Sequence, residues 1–138
     1  MTERTLTILK PDAVAAGKVG AILEHLEREG FRFLAMKRMR LSPEQARAFY
    51  AVHRDRPFYD ALVRFMTEGP VVVVALSRED AVGHLRRTMG ATDSRKAEPG
   101  TVRQRHGTDI ERNAIHGSDS PENAAKEVAF FFSESELI

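Results

Sequence analysis

Apolar and polar positions along the chain switch between two periods, and the switches predict its elements. Thr5-Leu6-Thr7-Ile8-Leu9 is β-branched and partly alternating, which predicts a strand stopped by Pro11, with Lys10 at its end. Between Gly17 and Gly30 the apolar positions are Val19, Ile22, Leu23 and Leu26. This is the stripe of an amphipathic helix, with Gly30 suited to cap its C-terminus. Phe31, Phe33 and Ala35 then alternate with their neighbours in a second strand running to about Leu41. Ser42-Pro43-Glu44-Gln45 is a capping-box start for a short helix through Tyr50. Phe58 to Met66 predicts another helix, closed by Gly69-Pro70. The near-continuous apolar run Val71 to Leu76 predicts a buried strand. Ser77 is expected to cap a helix with Ala81, Val82 and Leu85 on its inner face. Ser120-Pro121-Glu122 opens a last helix that carries Ala124, Ala125 and Val128.

Gly90 to Asn113 breaks the pattern. It has no sustained period, is rich in Gly, Pro, Asp, Arg and Lys, and is expected to be a long functional loop. The order of elements fits an α+β, ferredoxin-like βαββαβ chain. It would have a four-stranded antiparallel sheet covered by helices, with the long loop before a short strand at His116. No repeat or linker interrupts residues 1–138, which are expected to form a single domain with a sizeable core. That scaffold hosts many functions, so the chemistry must come from particular side chains.

Composition narrows the choice. With 21 basic and 20 acidic residues the net charge is +1, which argues against bulk attraction to nucleic acid or a membrane surface. Zero cysteines exclude a thiolate nucleophile, a disulfide framework and a cysteine-based zinc site. The N-terminus lacks a signal-peptide core and no run reaches membrane-span length, so a cytoplasmic protein is expected.

The chemistry concentrates in Asn113-Ala114-Ile115-His116-Gly117-Ser118-Asp119-Ser120. Neutral imidazole is abundant near pH 7 and can act as a covalent nucleophile. Gly117 is expected to clear room beside the ring for a large substrate, and Ser118 and Ser120 to offer hydroxyls to an anion. His25, His53, His84 and His106 have no comparable neighbourhood.

Further blocks accompany the octet: Lys10-Pro11-Asp12, Phe49-Tyr50-Ala51, Arg56-Pro57-Phe58, Gly69-Pro70-Val71, Met89-Gly90-Ala91-Thr92, and Pro99-Gly100-Thr101 with Arg103. Together they resemble the nucleoside diphosphate kinase family from about Arg4 to Phe132. The resemblance implies that ATP phosphorylates His116 and that a nucleoside diphosphate then collects the phosphoryl group. It casts Glu127 as the carboxylate orienting the ring's other nitrogen, Ser118 as a helper near the phosphate, and Tyr50 as the tyrosine beside the histidine. Arg86, Thr92 and Arg103 resemble the phosphate-binding set. Lys10 and Asn113 resemble the pair contacting the sugar hydroxyl and phosphates. Phe58 resembles the aromatic stacked on the base, a contact that discriminates poorly between bases. Mg²⁺ is implied with the polyphosphate, held mainly by phosphate oxygens, with Asp119 the candidate for a water-mediated contact. A homo-oligomer is also implied, a tetramer or hexamer built from dimers. The competing reading is a non-catalytic nucleotide- or nucleic-acid-binding module on the same scaffold. The sequence departs from the family pattern at Ala13, at Ser94 and at Gln104-Arg105-His106, which bears on loop rigidity and subunit contacts rather than on the proposed chemistry.

Overall fold

A computed structural model describes residues 2–138. Four strands form one antiparallel sheet: β1 (Thr2–Leu9), β2 (Arg32–Met39), β3 (Val71–Glu79) and β4 (Ile115–Gly117), in the order β2-β3-β1-β4. Strands β1 and β3 occupy the centre, paired from Thr2↔Glu79 to Leu9↔Val72. The apolar run in β3 follows from burial on both faces. Val71, Val73 and Ala75 join one core with Leu6 and Ile8; Val72, Val74 and Leu76 join the other with Leu9.

Helices α3 (Pro43–Phe49), α4 (Tyr59–Met66) and α7 (Pro121–Phe131) cover the first face through Ala46, Val63, Phe65, Met66, Val128 and Phe131. The second face carries α1 (Pro11–Ala15), α2 (Val19–Arg28), α5 (Ala81–Met89) and α6 (Val102–His106), with Ile22, Leu26, Leu85, Met89 and Val102 inward. The antiparallel order and the βαββαβ core built on α2 and α5 make this the expected ferredoxin-like fold, with further helices on the sheet's other side.

The local signals that hold are the reciprocal ones. Ser42 Oγ accepts from Gln45 N at 3.1 Å while Ser42 N donates to Gln45 Oε1 at 2.9 Å, closing the capping box. Gly30 follows α2 with φ +87°, the left-handed geometry that glycine reaches without strain.

Three expectations need correction. Ser77 is not a cap: it continues β3 opposite Arg4, and the turn into α5 is made by Asp80 at φ 50°. Pro11 does more than stop β1, since it opens the short helix α1. The long loop is not without structure. Asp93 caps a 3-10 turn (Ser94–Lys96), and Thr101 Oγ accepts from Gln104 N at the start of α6.

Candidate active site

His116 lies in a three-residue strand pinned to β1 by the pairs Thr7↔Gly117, Ile8↔His116 and Leu9↔Ile115. Alternation along β4 sends Ile115 and Gly117 into the core under α5 and turns the His116 ring to the opposite face, toward α7. There Nε2 bonds Glu127 Oε1 at 2.8 Å, with the two side chains 18% and 20% exposed. Ser118, fully buried, donates from Oγ to the same carboxylate oxygen at 2.8 Å, and its backbone N–H bonds Leu6 O on β1. An ionised carboxylate only accepts, so the ring proton belongs on Nε2 and the lone pair on Nδ1. Nδ1 has no protein hydrogen-bond partner among the described residues.

Aromatic edges hold the ring in place. Phe49 and Tyr50, at the end of α3, meet it edge-on with centroids 5.4 and 6.0 Å away. The Tyr50 hydroxyl is buried without a protein partner; burial first, then the nearby Glu127, push its pKa up and keep it protonated.

On the segment leading into β4, Asn113 forms one wall of a cleft of about 340 Å³ that is also lined by Lys10, Phe58, Leu62, Thr92, Arg103, Ile110 and Glu111. Lys10 ends β1, where Pro11 turns the chain, and its Nζ donates to Asn113 Oδ1 at 2.7 Å. Asn113 Nδ2 is spent on the carbonyls of Thr92 and Ile110. Burial, then Arg103, lower the Lys10 pKa to about 8, partly offset by Asp12 and Glu111. Arg103 spends Nη2 on Ile115 O at 2.8 Å and Nη1 on Gly90 O at 3.1 Å, and burial followed by Arg86 lowers its pKa to about 10. Arg86 is exposed on the last turn of α5 and Thr92 is exposed at the rim. Phe58 stays half exposed at the N-cap of α4.

A backbone device joins the two halves. Ala114 is fully buried at φ +72°, and Ile115 N donates across it to Asn113 O at 2.8 Å. This is a γ-turn of the strained, positive-φ kind, costing on the order of 1–3 kcal/mol unless the surroundings hold it. It turns Asn113 toward Lys10 and sends the chain on into β4.

The structure reassigns several octet side chains. Gly117 does not clear room for a substrate; a Cβ there would meet Met89 Sδ at 2.7 Å and Leu85 Cδ2 at 3.0 Å inside the core. Ser118 is turned to Glu127, and Ser120 caps α7 by accepting from Asn123 N, so neither hydroxyl is offered to an anion. Asp119 is exposed, with Oδ1 accepting from Asn123 Nδ2 at 2.6 Å. Sequence reasoning gave no role to Phe49, Leu62, Ile110 or Glu111. Only Leu62, four residues after Phe58 on a helix, carried a readable signal. His53 lies between Tyr50 and Phe58, whereas His25, His84 and His106 lie elsewhere, on α2, α5 and α6. No group of three or more His, Cys, Asp or Glu side chains suited to a metal ion occurs among the described residues.

An imidazole with one nitrogen tied and the other open follows three residues after Asn113, in the wall of a cleft that also carries Lys10, Arg103 and the aromatic Phe58; such a set can handle phosphorylated, anionic substrates. On this fold it defines a nucleotide phosphotransferase. The nucleoside diphosphate kinase family model matches residues 3–137. A nucleoside diphosphate kinase of Nitratiruptor sp. is 53% identical over 136 residues, 99% of either chain. The solved structure of the Aquifex aeolicus nucleoside diphosphate kinase superposes with a TM-score of 0.97 at 49% identity, covering 100% of both chains. That of a halophilic nucleoside diphosphate kinase from Halobacterium salinarum in complex with CDP gives 0.95 at 42% identity, covering 100% of this chain and 92% of that one. The chain belongs to the nucleoside diphosphate kinase family.

Proposed function

We propose that this enzyme moves the γ-phosphoryl group of ATP to nucleoside diphosphates in two steps through His116. The lone pair on Nδ1 attacks the γ-phosphorus, the N–P bond forms, the bond to the bridging oxygen breaks, and ADP leaves. A terminal oxygen of a nucleoside diphosphate then attacks the same phosphorus and returns the imidazole to its starting state. The observation carrying this reading is the tied Nε2 and open Nδ1 of one imidazole, three residues along the chain from the cleft-lining Asn113.

Glu127 holds the proton on Nε2 and stabilises the cationic ring as the N–P bond forms; Ser118 keeps that carboxylate in place. Tyr50 supports the ring by its edge. Lys10, Arg86, Thr92 and Arg103 supply donors for the phosphates and sugar, Asn113 orients Lys10 by accepting from its Nζ, and Phe58 offers a stacking face for the base, which fits broad base acceptance. Mg²⁺, arriving on the polyphosphate, supplies charge neutralisation. Exposed Asp119, with one oxygen engaged by Asn123, suits a contact through water. A homo-oligomer, a tetramer or hexamer built from dimers, is part of this reading, and strand β2 lies at the edge of the sheet, where a strand can meet a second copy. No helix of the described residues is long and apolar enough to cross a membrane, and a cytoplasmic location is part of this reading.

Incubation with γ-labelled ATP and Mg²⁺, without acceptor, tests the proposal. The expected product is one acid-labile, alkali-stable label, discharged by a nucleoside diphosphate and absent from a folded His116→Ala variant. No label in a sample that binds nucleotide would favour the binding-module reading instead.

A further inference from the structure

We propose that Asp12 is a positioning residue for phosphoryl transfer, holding the strained turn before His116; this rests on the function proposed above. Asp12 sits in the first turn of α1, immediately after Lys10-Pro11. Its Oδ2 accepts from the backbone N–H of Ala114 at 3.1 Å, across 102 residues. Ala114 O in turn accepts from Lys10 N at 2.8 Å. Both polar groups of the one non-glycine residue held at positive φ in this site are thus gripped by the segment Lys10 to Asp12. With the N–H released, the left-handed Ala114 loses a partner that holds it, and the turn can relax toward ordinary geometry. That relaxation would move Asn113 away from Lys10 and shift the start of β4.

The second carboxylate oxygen, Oδ1, is buried without a hydrogen-bond partner among the described residues, so the Ala114 N–H is the bond through which Asp12 reaches this turn. The charged groups around Asp12 and Lys10 are Arg103 from α6, which opposes the lysine cation, and Glu111 and Arg112 from the segment before β4. Glu111 supports Lys10, and Arg112 feels Asp12. Burial and Arg103 already bring Lys10 close to losing its proton near neutrality, and Asp12 is the foremost group working against them.

Two variants test this role. Asp12→Asn keeps an oxygen that can accept from Ala114 N but removes the charge. With the acceptor kept, its kcat should stay within about threefold of wild type. Asp12→Ala also removes the acceptor, and in folded protein kcat should fall by about 10- to 100-fold at every pH, since a small misplacement of reacting groups costs that much. An Asp12→Ala kcat within about twofold of wild type in folded protein, or an Asp12→Asn kcat as low as that of Asp12→Ala, would overturn the proposal. Wild-type protein that takes no label from ATP would overturn the underlying function instead, so the two failures are distinguishable.

Discussion

A proton fixed on Nε2 decides where the next bond can form, and that decision rests on one carboxylate. Glu127→Gln keeps the shape and removes the charge. Because the ring gains positive charge as the N–P bond forms, the loss should fall on kcat, by the roughly 10–100-fold typical when a partner orienting a histidine is lost. KM for the nucleotide should stay within about twofold; steady-state kinetics with an unchanged kcat would refute the role. At this scale the sequence was legible where chemistry is local. His116 and Ser118 lie within one octet, whereas Glu127, on the following helix, was marked only by the family resemblance. Phe49 reaches the ring only through the packing of α3 on the sheet, and Ile110 reaches the cleft only through the turns before β4. Phe49 had only its neighbour Tyr50 to mark it, and Ile110 had no such neighbour.

Among the elements, the short strand β4 is defined by what it packs against as much as by its three pairs with β1. Gly117→Ala would place a methyl into Met89 and Leu85, both fully or almost fully buried. Overpacking of this kind costs about 1–3 kcal/mol, and a thermal melt should show Tm lowered by several degrees. Since His116 faces the other side of the sheet, nucleotide KM should change little; an unaltered Tm would mean that α5 yields freely. The strands and long helices were readable because their periods and reciprocal caps, such as Ser42 with Gln45, are local. The misreading of Ser77 shows the limit: a serine before a helix pattern looks like a cap, yet pairing with Arg4 across the sheet carries β3 to Glu79. In the same way α6 was hidden in a charged stretch because its inward residues are few, Val102 and Arg103.

Across the whole molecule, the cleft couples binding to protons. Lys10 holds its proton to 10.5 in an unfolded chain but only to about 8 when folded. Between these values the unfolded state binds more protons, so this group makes the free protein more stable as pH rises through the window, while its cation is lost to phosphate binding. Bound polyphosphate restores that cation. Calorimetry at about pH 8.5 in buffers of differing ionisation enthalpy should therefore report net proton uptake on nucleotide binding, absent in Lys10→Met and much smaller at about pH 6.5. No uptake in wild type would mean that Lys10 remains charged throughout.

The sheet order also carries a consequence for the chain as it is made. Strand β1 is synthesised first, gains β3 on one side, and keeps its other edge bare until β4 arrives. The residues that finally seal that edge are the ones holding the imidazole, and α7 with its carboxylate follows directly. A ribosome that stalls before them leaves an inert fragment with an apolar strand open to any passing strand, the kind of edge that seeds aggregation. In this topology, becoming competent and ceasing to be adhesive are the same late event of translation.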